Sequence, residues 1–151
     1  MPQHSFRTKA ADGSGEGLDL EITESVIMAH AEEYLQKLHD LKQMGRTFAI
    51  GDFGTGYSSL RYIAKLPIDT LKIDRSFIVG MTESPDDLAI VTMIISLGHD
   101  LNLTVVAEGV ESEAQAKLLR LLKCDEMQGF LFWEPMPASE MEAVLSRRVA
   151  H

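Results

Sequence analysis

Cysteine is almost missing from this chain: Cys124 is the only one in 151 residues, so no intramolecular disulfide can form and nothing points to an oxidising compartment. A cytoplasmic chain is the expectation. Long apolar runs are missing too. The longest, Leu88 to Leu97, is interrupted by Thr92 and Ser96 and is about half the length that spans a bilayer, so it reads as a buried helix. The first residues lack the apolar core of a signal peptide. Positive charge is scarce: 14 Lys and Arg stand against 23 Asp and Glu for a net charge of −9, with no basic cluster beyond Arg147 and Arg148. That balance argues against nucleic-acid binding, which depends on Lys and Arg neutralising phosphates. No membrane and no nucleic-acid partner are therefore expected, and a phosphate would meet a metal rather than a basic patch. The five histidines, His4, His30, His39, His99 and His151, show no ligand spacing.

What is present is enough apolar residue, 45%, for one domain with a real core. Residues 1–17, with Gly13, Ser14, Gly15 and Gly17 close together, read as a flexible leader or an expression scar, and 18–151 as the domain. From Leu18 the pattern is regular. Leu18, Leu20 and Ile22 alternate with Asp19, Glu21 and Thr23, the period-2 signature of a strand. Ile27, Ala31, Tyr34, Leu35, Leu38 and Leu41 follow at helical spacing, with Ser25 as N-cap and Gly45 as stop. Further strands are predicted at 48–50, 71–73, 103–107 and 126–130. Between them lie helices that open at Ser58 and Ser59, after Pro85, and at the capping box Ser112 to Gln115, with a terminal helix capped by Ser139 to Glu142. The apolar face of the helix after Pro85 is read as Ala89, Ile90, Met93, Ile94 and Leu97, and the methionines as fillers of core gaps. Strands alternating with helices favour an α/β fold with a parallel sheet, and polar residues at the strand ends favour a barrel-type site. About five βα units do not close an eight-stranded barrel.

Periodicity singles out Glu21 on the polar face of the first strand, Asp52 just past the second and Lys72 inside the third. Glu108 ends the fourth and Gln128 lies in the fifth. Charges on strands of a covered sheet need partners or a metal. Several acids converging with one lysine and one amide suit hard divalent cations such as Mg²⁺ or Mn²⁺, and metal-assisted hydrolysis of a phosphodiester. The plainer readings stand beside this. Asp52 serves as a turn aspartate among glycines, Glu21 pairs with Lys72 across neighbouring strands, Glu108 and Glu111 complement a helix dipole, and Trp133 covers an edge or an interface.

Four segments carry a resemblance: LDLEITES (Leu18 to Ser25), GDFGTGYSSLRYIAKLPIDTLKIDRSFI (Gly51 to Ile78), VVAEGVES (Val105 to Ser112) and DEMQGFLFWEPMP (Asp125 to Pro137). In order and spacing they resemble the motifs of the EAL domain family, bacterial cyclic-di-GMP phosphodiesterases with a TIM-type barrel. The resemblance implies a partial (β/α) barrel corresponding to strands 4 to 8 of the EAL barrel. It implies Glu21, Asp52 and Glu108 as metal ligands for Mg²⁺ or Mn²⁺, with Lys72, Glu108 and Gln128 in catalytic roles. Glu111 would brace the loop after the second strand, and Phe53, Gly54, Thr55, Gly56, Tyr57 and Ser58 would form a loop coupling dimerisation to the metal site.

Two departures from the family pattern alter what is expected. Gly51 stands where the family has the first of two adjacent aspartates, the one that bridges both metals. The signature Glu-Ala-Leu glutamate and an asparagine ligand have no counterpart in these residues. Loss of outer-shell partners alone costs about 10- to 100-fold. The sequence therefore reads as a truncated, degenerate EAL domain, inactive in isolation, with metal weak or absent, acting as a homo-oligomeric (dimeric) or interaction module. The alternative is an active phosphodiesterase that hydrolyses cyclic-di-GMP to pGpG with ligands supplied by another chain. Cyclic-di-GMP bound without turnover is a third reading.

Overall fold

A computed structural model describes residues 19–56 and 59–149. The leader expected over residues 1–17, and Tyr57 and Ser58 of the predicted coupling loop, lie outside the described residues. Chain order begins with β1 (Asp19–Thr23), α1 (Glu24–Ala29), α2 (Ala31–Gln43), β2 (Thr47–Phe53) and α3 (Leu60–Ile63). It continues with β3 (Thr70–Ile73), α4 (Arg75–Gly80), α5 (Pro85–Asp100), β4 (Thr104–Glu108), α6 (Glu113–Leu121), β5 (Glu126–Gln128) and α7 (Ala138–Val149). The strands form one parallel sheet in the order β1-β2-β3-β4-β5, each beside its predecessor. Helical connections between consecutive parallel strands produce this order.

The two faces of the sheet have different tasks. Phe48 and Ile50 on β2, Leu71 and Ile73 on β3, and Val105 and Ala107 on β4 belong to one buried cluster with Ile27, Leu38, Ile78, Val91, Ile94, Ile95 and Leu119 from the helices. The alternate positions, Glu21, Gly51, Lys72 and Glu108, therefore share the opposite face, the one a barrel turns inward.

Local chemistry accounts for several helix boundaries. Ser84 accepts the Asp87 N–H ahead of Pro85 at the first helical position. Ser112 accepts the Gln115 N–H while Gln115 Oε1 takes the Ser112 and Glu111 N–H groups, so the predicted capping box is present. Gly45 ends α2 at φ 79°, and its N–H reaches the Lys42 carbonyl.

Several sequence expectations are corrected. The first helix is two, broken at His30 (φ −139°, ψ 33°), and Thr23 rather than Ser25 is its N-cap. The apolar spacing runs through the break, so periodicity does not mark it. Ser139 lies inside α7 rather than capping it. Helix α4 was not expected, because its six residues are too few to show a period. On α5 the buried face is Val91, Ile94, Ile95 and Gly98, whereas Met93 is 61% exposed. Met81 is buried, but Met44 and Met141 also face solvent, so the methionines are not a class of core fillers. Strand β5 stops at Gln128, because the chain turns at Gly129, whose carbonyl accepts the Phe132 and Trp133 N–H groups. No helix among the described residues is long and apolar enough to cross a membrane.

Candidate functional site

The site grows from the inward face. Lys72 is 2% exposed, and its ammonium sits 2.6 Å from Glu21 Oε2 and 2.5 Å from Glu108 Oε1. Strand β3 lies between β2 and β4, so Lys72 meets Glu108 from the adjacent strand but reaches Glu21 across β2. The pairing of Glu21 with Lys72 is thus present, though not between neighbouring strands. On β2 between them stands Gly51, where a Cβ would meet Glu21 Oε1. Gln128 is level with Glu108 on β5.

Burial opposes a charge on Lys72, but the flanking Glu108 and Glu21 carboxylates outweigh that and hold the ammonium above the ordinary lysine value of 10.5. Burial also pushes the Glu108 carboxyl above its ordinary 4.5, with Lys72 opposing only in part. Two carboxylates share the one ammonium, and burial of Glu108 outweighs what that ammonium contributes to it. For Lys72 the folded chain binds the proton more tightly than the unfolded chain does. Its contribution to stability is therefore fully present below pH 10.5 and lost as the pH climbs through the raised folded value. Thermal melts on either side of pH 10.5 should show a Tm fall that is smaller in Lys72→Met, and equal slopes for the two proteins would refute the assignment.

Asp52 is exposed and belongs to β2 rather than following it, at an irregularity between Ile50 and Phe53 where its φ is 53°. Aspartate tolerates that left-handed conformation better than most residues. Its carbonyl accepts the Thr55 hydroxyl. Among the described residues no three His, Cys, Asp or Glu side chains lie together in a way that could hold a metal ion. Glu21 and Glu108 are instead bridged by an ammonium, and Gly51 offers no ligand. The residues present do not fit a divalent ion at this site.

Glu111 does not brace the loop after β2. It accepts from Arg75 at 2.5 Å, joining the start of α4 to the loop after β4. The brace is Glu24, which sequence reasoning missed. It is 1% exposed, and its Oε2 accepts the N–H groups of Gly54 at 2.9 Å and Gly56 at 3.1 Å. The available signal was the glycine-rich loop itself, whose bare N–H groups require an acceptor, together with an acid in the first turn after β1. Phe53 is buried at the base of this loop, and Thr55 and Gly56 are exposed.

Comparison with known proteins settles the lineage. The EAL domain family model matches residues 4–135. The chain belongs to the EAL domain family. It is 52% identical over 126 residues to the bifunctional diguanylate cyclase/cyclic di-GMP phosphodiesterase MucR of Pseudomonas aeruginosa, covering 83% of this chain and 18% of MucR. A solved PaMucR phosphodiesterase in complex with c-di-GMP superposes with a TM-score of 0.81 at 51% identity, covering 83% of this chain and 51% of that one. A manganese and cyclic-di-GMP complex of BlrP1 from Klebsiella pneumoniae matches at TM-score 0.71 and 32% identity, covering 76% of this chain and 29% of that one. This EAL chain thus spans less than a fifth of MucR's length. Its fold is α/β, a five-strand portion of the TIM-type barrel of that family.

Proposed function

We propose that a polypeptide of these 151 residues is a catalytically silent EAL module of cyclic-di-GMP signalling that acts by association. The observation that carries this reading is the Lys72 ammonium between Glu21 and Glu108, which leaves both carboxylates committed to a cation built into the chain. Metal-assisted hydrolysis needs an open coordination position and ligands free to hold the ion. Gly51 supplies no carboxylate, and among the described residues exposed Asp52 belongs to no three-ligand group.

Association is supported by the sheet edges. Among the described residues β1 and β5 each have one neighbour, which leaves a row of backbone donors and acceptors on the other side. Beside β5 lie Phe130, Phe132 and Trp133, 58%, 39% and 51% exposed. A two-fold dimer is the commonest way to cover such surface. The loop from Phe53 to Gly56, tied to Glu24 only three residues from Glu21, is the proposed link between association and the site.

A second reading is favoured by the 52% identity to MucR: hydrolysis of cyclic-di-GMP to pGpG, with ligands donated by another chain and Mg²⁺ or Mn²⁺ as cofactor. One preparation separates the two. Light scattering should give a mass above 16.8 kDa, and incubation with cyclic-di-GMP plus Mg²⁺ or Mn²⁺ should yield no pGpG. Turnover on the order of 1 s⁻¹ would establish the second reading, and a stable monomer would refute association.

A further inference from the structure

The gap at Gly51 and the reach of Glu21 are two sides of one arrangement. A methyl carbon built on Gly51 would overlap Glu21 Oε1 and lie 2.9 Å from its Cδ, closer than such atoms come in real proteins. Gly51 does not adopt a positive φ, so nothing in its own backbone forbids a side chain. The three atoms nearest to a Cβ there all belong to the Glu21 side chain. The space is occupied by a carboxylate that has crossed β2 to pair with a buried ammonium.

We propose that Gly51 is the positioning residue of this site: the absence of a side chain at 51 delivers the Glu21 carboxylate to Lys72 and makes the lysine ammonium the resident cation. The inference rests on the silent-module reading and specifies its cause. A residue of any chemistry at 51, even one that offers no ligand, competes with Glu21 for the same volume. Position 51 therefore decides whether Lys72 has two carboxylate partners or one. Lys72 is 3% exposed along its side chain and Glu108 10%, so the partner lost is not replaced by bulk water without opening the site.

A double-mutant cycle on the whole chain tests this, using Gly51→Ala, Glu21→Ala and the pair, followed by thermal melts. Gly51→Ala alone is expected to lower Tm by roughly 2–12 °C, the range for forcing one extra carbon into a filled space. In the Glu21→Ala background the three atoms that the methyl group would crowd are gone, and the loss should vanish or turn into a small gain from the stiffer unfolded chain. A simply structural requirement for glycine would survive the Glu21→Ala change. Equal Tm losses in the two backgrounds would therefore overturn the role of Gly51. As a second measurement, an excess of MnCl₂ should leave the Tm of the unaltered chain unmoved, because binding to the folded state alone would raise it. A rise would overturn the resident-ammonium part. Production of pGpG would refute the silent-module reading but leave the coupling between Gly51 and Glu21 standing, so the two failures are distinguishable.

Discussion

Lys72→Met is expected to cost about 3–5 kcal/mol of folding stability, the range for removing one partner from a buried ion pair. At this chain length that corresponds to a Tm loss of roughly 6–20 °C. Methionine fills nearly the same volume, so the loss is electrostatic rather than a cavity effect. What remains after the exchange is two carboxylates on the inward face, Glu21 with 21% of its side chain exposed and Glu108 with 10%, facing each other across the space the ammonium held. Converting both to amides in the same background removes the repulsion and the uncompensated charge together, so Lys72→Met/Glu21→Gln/Glu108→Gln should regain most of the lost stability. Equilibrium denaturation of the three proteins measures this directly. A single variant as stable as the parent would mean that water already compensates the carboxylates, and that the ion triad contributes little.

The fold was legible wherever a side-chain period had room to express itself. Leu103 to Ala107, almost wholly apolar and β-branched, was recognisable as a strand covered on both faces, and the structure has β4 at Thr104–Glu108. Ser112 to Gln115 announced its helix through two reciprocal hydrogen bonds that depend only on local spacing. What stayed hidden depends on contacts between segments. The break at His30 sits inside an unbroken apolar period, and α4 is shorter than two turns. The buried face of α5 could not be fixed because Ala89, Ile90, Val91, Met93, Ile94 and Ile95 are apolar nearly all the way round the helix.

The site divides in the same way. Glu21, Lys72 and Glu108 could be found from the sequence because each is a charge at a strand position where charges are rare, and the three do meet. Their arrangement was not legible, since it depends on the sheet order that places β2 between β1 and β3. Glu24 was overlooked for a related reason: an acid in the first turn of a helix is unremarkable until the loop 30 residues later is seen to lie on it. Glu111 was assigned that bracing role, and it instead holds Arg75 because its loop follows β4, beside the end of β3.

Gly129→Ala is expected to be nearly as damaging as the loss of Lys72, through packing rather than charge. A methyl carbon at 129 would overlap the nitrogen and carbonyl oxygen of Val110 and lie 2.7 Å from its carbonyl carbon. All three are backbone atoms, so no rotamer change makes room. Val110 itself is fully buried, its N–H donates to the Gln128 carbonyl at 3.0 Å, and its carbonyl accepts the Leu131 N–H at 3.1 Å. Moving the two segments apart would stretch both bonds and pull β5 from β4 at the point where Gln128 stands level with Glu108. Forcing extra volume into a packed interior typically costs about 1–3 kcal/mol, and a rigid backbone neighbour places this case at the upper end or beyond, a Tm loss of roughly 6–12 °C. The contrast with Gly51 supplies the check. Truncating Glu21 should rescue Gly51→Ala, whereas Val110→Ala should not rescue Gly129→Ala, because the colliding atoms remain when the side chain is shortened. Melts of Gly129→Ala with and without Val110→Ala test the point, and a rescue would mean that the side chain of Val110, not its backbone, sets the approach of β5 to the rest of the sheet.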